Sequence, residues 1–290
     1  MKKLVFITVF VIISLSKVIV NAQTVLRIDV PDETINAEKI DDVQFVAQYQ
    51  VKIISDTLNK EDVIDELMIL KAGRKSSVFY SYSHFNSEST IKEQLKKNER
   101  TGNFALGFSF VGVGMITPKV YKNYPTGKVT TLDKISINSF FRCEEENEVQ
   151  SWQLLTDTMT ILSYSCQKAV CHFKGRDYEA WFTSEIPRSE GPWKLHGLPG
   201  LILKVADAQG HYTFECIGME NADGELLFGA SGYEPISRKN LNKIYERFAT
   251  DPSGFLTSLM PANKKVIVVD DSGEDKSVKN MPYNPIERDE

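Results

Sequence analysis

The chain has 290 residues, 42% of them hydrophobic and 25% charged, with a formal net charge of −5. That length allows one large domain or two small ones. The acidic balance argues against nucleic-acid binding, because phosphate contacts need a basic face.

The opening reads as an export signal, not as part of a domain. Lys2-Lys3 is a basic n-region, Leu4 to Ser16 an apolar h-region, and Val20-Asn21-Ala22 a small-residue cleavage site before Gln23. Cleavage after Ala22 removes three lysines and moves the charge from −5 to −8. No later stretch approaches 18 uninterrupted apolar residues, so no integral membrane protein is expected. The domain reading is residues 1–22 signal peptide, 23–270 a single β-rich domain, and 271–290 a charged C-terminal tail. A periplasmic, secreted or cell-surface location follows.

Val25 to Val30 is a short alternating run. Over Asp41 to Ile54, the residues Val43, Phe45, Ala47, Tyr49, Val51 and Ile53 fall on one face at period two, the mark of a half-buried antiparallel strand. Leu67 to Leu70 and Val78 to Tyr82 flank Ala72-Gly73-Arg74-Lys75 as a hairpin. Ser89 to Glu99 reads as a short polar helix, and Thr101 to Gly114 as a glycine-rich loop or bent strand. A second hairpin joins Val120–Tyr124 to Val129–Leu132 through Pro125-Thr126-Gly127. Ile137–Cys143, Trp152–Leu155 and Thr158–Tyr164 are further strands. Two more hairpins follow, Lys168–Phe173 with Tyr178–Phe182 and Leu201–Val205 with Tyr212–Ile217. Ser237 caps a helix over Arg238–Phe248, and Asp251-Pro252 restarts a helical turn through Met260. Val266 to Val269 reads as a late strand. Hairpins in series predict a mainly β chain (β-rich α+β), a curved antiparallel meander or half-barrel sheet with a few short helices.

One stretch stands apart. Gly191-Pro192-Trp193-Lys194-Leu195-His196-Gly197-Leu198-Pro199-Gly200 packs three glycines and two prolines ahead of an apolar strand. Leu198-Pro199-Gly200-Leu201 reads as a type II turn, with glycine supplying the positive φ. The stretch as a whole reads as a rigid surface bend.

Four cysteines, Cys143, Cys166, Cys171 and Cys216, lie beyond the signal. An even count in an exported chain favours disulfides. Cys166 and Cys171, five apart on one strand, would face opposite sides and lie roughly 16 Å apart, beyond the ~7 Å that a bridge tolerates. Their pairing would need a bulge or turn between them, so cross-strand pairing with Cys143 and Cys216 is preferred, with free, buried thiols as the alternative. Their spacing is not that of a zinc site, and no metal or other cofactor is expected. The histidines His84, His172, His196 and His211 form no HExxH, and no nucleophile elbow, P-loop or dinucleotide fingerprint is present. Glu144-Glu145-Glu146 reads as surface charge. The binding candidates are Arg176, Trp181, Trp193, Lys194 and His196, aromatic and cationic residues around the bend.

At these residues the chain resembles the GLPGLI family of proteins exported by Gram-negative bacteria. The naming motif stands letter for letter at Gly197-Leu198-Pro199-Gly200-Leu201-Ile202. The likeness runs upstream through Cys166-Gln167-Lys168-Ala169, Phe173-Lys174-Gly175-Arg176, Ala180-Trp181-Phe182-Thr183, Glu185-Ile186-Pro187 and Gly191-Pro192-Trp193. It resumes weakly at Ser76 to Ser81 and at Asn284-Pro285-Ile286-Glu287. Cys171 lies outside the pattern. The resemblance implies export and brings no activity.

The function expected is a non-enzymatic periplasmic or cell-envelope protein that binds or carries an envelope protein or an apolar ligand. The competing readings are an envelope hydrolase or peptidase using His196 or His172 with a carboxylate, and a structural envelope component. Asp56-Thr57-Leu58 and Asp157-Thr158-Met159 also fit a short O-glycosylation pattern.

Overall fold

The structure is a computed structural model, and it describes residues 8–9, 36–61, 63–83, 108–109, 118–136, 139–258 and 281–288. The expected elements at Val25–Val30, Ser89–Glu99 and Val266–Val269, most of 101–114, and His84 lie outside them.

β1 (Thr8–Val9) bridges β5 (Phe108–Ser109). All other strands join one mixed sheet. β2 (Glu38–Ile54), β3 (Val63–Ala72), β4 (Ser77–Ser81), β6 (Lys119–Lys122), β7 (Lys128–Ser136) and β8 (Ser139–Glu146) pair successively as one antiparallel meander. β9 (Gln153–Ile161), β10 (Tyr164–Phe173), β11 (Arg176–Thr183), β12 (Leu201–Asp207) and β13 (Tyr212–Phe228) form the other. The long strands β13 and β2 zip the two together at the centre. β14 (Glu234–Pro235) adds one short parallel pairing onto β8. Among the described residues β9 ends the sheet on one side and β14 on the other, so the sheet is open and not a closed barrel.

Chain reach requires the sheet to curl. β8 and β9 stand ten strand positions apart in the twelve-stranded order, about 48 Å if the sheet were flat at ~4.8 Å per strand. Only residues 147–152 connect them, and seven Cα steps reach about 25 Å at most. The two ends must therefore bend toward each other, as a half-barrel does.

The period-two face foreseen on β2 is buried as a set, from Val43 through Ile53. β4 is buried on both faces: Phe79 joins the main core with Tyr49, Met68, Leu70 and Val120, while Val78 and Tyr80 join a second core with Ile69, Tyr121, Leu132 and Phe140. The two strands expected at Trp152–Leu155 and Thr158–Tyr164 merge as far as Ile161 into one strand, β9, while Leu162-Ser163 turns into β10, which begins at Tyr164. A bulge opposite Lys168 of β10 absorbs the irregularity that made them read as separate.

Ser237 caps α1 (Arg238–Thr250), its side chain accepting from the Asn240 N–H, and α2 (Pro252–Ser258) follows at once. No helix among the described residues is long and apolar enough to cross a membrane. Residues 281–288 do not trail away from the body. Asn284 and Glu287 are buried, and the Arg288 N–H donates to the Lys174 carbonyl.

Candidate functional site

The Gly-Pro-rich stretch is a bend, but it lies within the body of the protein and not on its surface. From Gly191 to Leu198 only Gly197 escapes full burial, and Pro199 alone of the whole motif is exposed. The physical reason is the curl. A half-barrel this wide has a concave interior to fill, and residues 184–200, between β11 and β12, fill it.

The turn also differs from the one expected. Gly200 does not take positive φ; the left-handed residues are Trp193 (φ 53°) and Gly197 (φ 95°). The Gly200 N–H donates to the Leu198 carbonyl two residues back at 2.8 Å, a tight turn centred on Pro199. Glycine at 200 is required by contact: a Cβ there would lie 2.0 Å from the Thr183 carbonyl oxygen. At Gly191 a Cβ would lie 2.8 Å from Ile202 Cδ1. Gly200 thus lies against the backbone of the preceding strand, Gly191 and Gly197 against the side chains of Ile202 and Val149, and Pro192 and Pro199 stiffen the intervening turns.

Buried ion pairs tie the bend to the first meander. Lys122 on β6 is 2% exposed; its Nζ pairs with Glu190 Oε2 at 2.6 Å and donates to the Gly191 carbonyl at 2.6 Å. Ser77 Oγ donates to the same carboxylate. Lys194, 3% exposed, pairs with Glu145 of β8 and with Glu287 of the C-terminal segment, the latter at 2.7 Å. Arg238 of α1 reaches Glu145 at 2.8 Å. These cations hold the Glu145 carboxyl at about 2 against the opposing effect of its own burial. Glu145 was read as surface charge with its neighbours. Strand alternation corrects this: Glu144 and Glu146 point outward, while Glu145 shares the inward face with Cys143.

Arg176 performs a third closure. Its guanidinium is fully buried, pairs with Asp207 at 2.6 Å, donates to Asn284 Oδ1 at 2.7 Å and to the carbonyls of Pro285 and Ile286, and stacks 4.7 Å over the Tyr212 ring. Tyr212 OH donates to the Asn284 carbonyl, and Asn284 Nδ2 to that of Ile54. The weakly matching Asn284-Pro285-Ile286-Glu287 is thus the partner of Arg176, over a hundred residues away.

Trp193 packs edge-on against Phe173 at 5.8 Å. His196 lies inside the same bend. Its backbone N–H donates to Gln150 Oε1 at 2.8 Å and its carbonyl accepts from Trp152 Nε1, while its Nε2 is buried without a partner. Burial, seconded by the Lys122 charge, holds the imidazole down at about 4, so it is neutral at physiological pH. Its stabilising contribution is complete above the ordinary 6.5 and lost as the pH falls through 4, about 3 kcal/mol in all. The variant His196→Phe is expected to flatten the stability–pH curve between pH 6.5 and 4, read by urea denaturation at half-unit steps. A slope equal to that of the parent would show that His196 does not set it.

Of the five binding candidates, Arg176, Trp193, Lys194 and His196 are therefore brought together inside the molecule. Trp181 is not. It sits on the opposite face of β11, half-buried, with Lys168 Nζ 5.6 Å from its ring.

The expected disulfides are absent: Cys143, Cys166, Cys171 and Cys216 are all free and buried. Cys216 faces Tyr49 across the ladder, Cys171 faces Tyr178 and Cys143 faces Thr131, so no two are cross-strand neighbours. β13 and β10 are three strand positions apart, about 14 Å along the sheet and twice what a bridge spans. Cys166 and Cys171 do not face opposite sides, because the bulge between Gln167 and Ala169 resets the alternation and turns both into the core. Burial pushes the Cys171 thiol up to about 12 and the Cys216 thiol to about 11, leaving both unreactive at neutral pH.

Nothing in the sequence pattern singles out Lys122, Glu190, Asp207 or Arg238, and Glu287 enters only through the weakly resembling Asn284-Pro285-Ile286-Glu287. Only Glu145 carried a readable signal, its parity with Cys143. Among the described residues no group of three His, Cys, Asp or Glu side chains is arranged to hold a metal ion. Two open cavities, about 310 and 240 Å³, are lined by polar and charged side chains such as Arg142, Glu144, Lys243 and Arg288.

No curated protein matches the chain. Two crystal structures of PNGF-II, in the P21 and C2 space groups, are similar at TM-scores of 0.48 and 0.46 with 13% and 14% identity. Each likeness covers 71% of this chain but only 34% and 32% of the other, so the chain spans about a third of those proteins. A family model described as a protein of unknown function (Porph_ging) matches residues 172–204, and over that stretch, from the end of β10 through the buried bend to β12, the chain is similar to an uncharacterised family.

Proposed function

We propose that the protein is an exported, non-enzymatic component of the cell envelope that binds a macromolecular partner on its surface. The signal-like start and the GLPGLI-type motif support export and kinship with that family. One observation favours surface binding over carriage. The concave interior that would hold an apolar ligand is occupied by the chain's own bend and C-terminal segment, and Arg176, Lys122 and Lys194 are engaged with internal partners. The test uses the mature protein, delipidated, with cross-linking to isolated envelope proteins and, in parallel, titration with phospholipid vesicles. Discrete protein adducts without vesicle binding support the reading. An intrinsic-fluorescence change with lipid and no protein adduct would replace it with carriage.

The hydrolase reading has one observation in its favour. His172 Nδ1 lies 2.6 Å from Asp177 Oδ1 across the exposed β10–β11 hairpin, a histidine oriented by a carboxylate. An esterase or peptidase activity that is lost in His172→Ala would support it.

A further inference from the structure

We infer that the free edge of β9 is a docking site for an extended, positively charged segment of another protein, added to the sheet as a thirteenth strand. This rests on the surface-binding reading above and names the surface. Natural sheets guard their edges with lysine, proline, short strands or bulges. β9 runs from Gln153 to Ile161 with neither lysine nor proline. Every residue in it except Leu155 and Ile161 is exposed. Of the ten large apolar side chains exposed among the described residues, four fall in the fourteen positions from Val149 to Leu162: Val149, Leu154, Met159 and Leu162. The patch therefore combines apolar side chains with an unpaired backbone, the two elements of strand addition.

The ladder with β10 shows which part of the edge is usable. Its register slips between Thr158, opposite Gln167, and Leu154, opposite Ala169, and Gln167 Nε2 reaches the Leu155 carbonyl inside this bulge. The bulge blunts the first half of the strand and leaves Thr158 to Ile161 regular. Ser165, opposite Thr160, donates its N–H away from β9, to Glu185 Oε1 at 2.9 Å. Thr160 is thus at a position that does not exchange ladder bonds, and antiparallel alternation places Thr158 in the same class. The backbone groups of Thr158 and Thr160 face outward.

Charge selects the occupant. Asp157, exposed, directly precedes the regular stretch and makes no ion pair among the described residues. The nearby cation, Lys168, is taken by Glu179 at 2.7 Å. A second copy would bring another Asp157 and a chain of net charge −5 to the same edge. A strand carrying lysine or arginine meets opposite charge instead.

The test uses the mature protein and two fluorescein-labelled hexapeptides, Lys-Val-Thr-Val-Thr-Lys and Glu-Val-Thr-Val-Thr-Glu, with anisotropy as the readout. The basic peptide is expected to bind and the acidic one about tenfold more weakly at low salt. Thr160→Pro removes one outward N–H without touching the β9–β10 ladder, and is expected to weaken binding about tenfold with the fold unchanged by circular dichroism. Asp157→Lys should reverse the preference between the peptides, and bound peptide should slow hydrogen exchange at the Thr158 and Thr160 amides. No binding of either peptide, or equal binding of both, overturns the edge site. So does binding that Thr160→Pro leaves unchanged. A concentration-dependent dimer in sedimentation that Thr160→Pro abolishes also overturns it, giving the edge to a second copy. Envelope-protein adducts that persist in Thr160→Pro would sink the edge and leave the surface-binding reading standing, whereas loss of all adducts in the parent protein would sink both.

Discussion

Arg176→Ala is expected to lower the melting temperature by about 10 °C and to make the C-terminal segment cleavable by protease. The substitution leaves the Asp207 carboxylate buried without its cation, and breaking a buried pair from one side costs about 3–5 kcal/mol. It also leaves the carbonyls of Pro285 and Ile286 without the guanidinium they meet, and the Asn284 side-chain oxygen with only a longer bond from Arg288, at 3.3 Å. In a chain of this size one kcal/mol moves the midpoint by about 2–4 °C, hence the figure. Arg176→Lys separates charge from geometry. An ammonium satisfies Asp207 but has no planar fork to reach the three groups of the strap, so an intermediate loss is expected. Scanning calorimetry with limited proteolysis checks both. A melting point unchanged in Arg176→Ala would mean that the strap contributes nothing to stability.

Gly200→Ala is expected to be at least as damaging, although it adds one methyl group. The new carbon would meet the Thr183 carbonyl oxygen at 2.0 Å and the Ser184 nitrogen at 3.0 Å. Both belong to backbone, so no side-chain rotation relieves the clash. The bend must move away from β11, where Thr183 pairs with Leu201, and the displacement would be felt at Tyr49, whose hydroxyl donates to the Ile202 carbonyl at 2.7 Å. The cost should exceed about 3 kcal/mol, beyond ordinary overpacking. Pro199→Ala, at an exposed position, should cost well under that. Urea denaturation of the two variants side by side decides the matter. Equal midpoints would show that the bend is held by proline stiffness and not by close approach at Gly200.

The parts of this fold that could be read early are those where one residue type has one local consequence. The alternation from Val43 to Ile53, the turns at Pro125-Thr126-Gly127 and Lys174-Gly175, and the Ser237 cap each follow from contacts within a few residues. All came out where expected, the second turn tighter than the expected Lys174-Gly175-Arg176-Asp177 because β11 already begins at Arg176. Errors arose where a local rule was interrupted by a neighbouring strand. The bulge in the β9–β10 ladder split one strand into two apparent ones and reversed the inferred facing of Cys166 against Cys171. The positive-φ turn predicted at Gly200 failed for a related reason. What constrains that glycine is Thr183, on the preceding strand, and no window around Leu198-Pro199-Gly200-Leu201 contains it.

Residue type and closeness to the bend were legible in the sequence; burial was not. Arg176, Trp193, Lys194 and His196 were picked out by type and by closeness to the bend, and they do gather. An exposed patch and a folded-in bend share the same letters, however. Burial was decided by the curl of a sheet in which β8 and β9, ten positions apart, are tied by six residues. That curl makes a hollow, and the hollow takes in the bend.

The amino-acid order by itself determined the strands, their antiparallel pairing, the capped helix and the special backbone between Gly191 and Gly200, because each depends on propensities and hydrogen bonds within one hairpin or one turn. Only the tertiary structure decided that β2 and β13 meet at the centre, that Glu145 and Glu190 are part-buried counter-charges to buried lysines, that four cysteines stay unpaired and that β9 ends the sheet among the described residues. Those outcomes come from contacts between segments tens to hundreds of residues apart. Such contacts depend on how much the whole sheet twists and closes, and no single stretch of sequence carries that quantity.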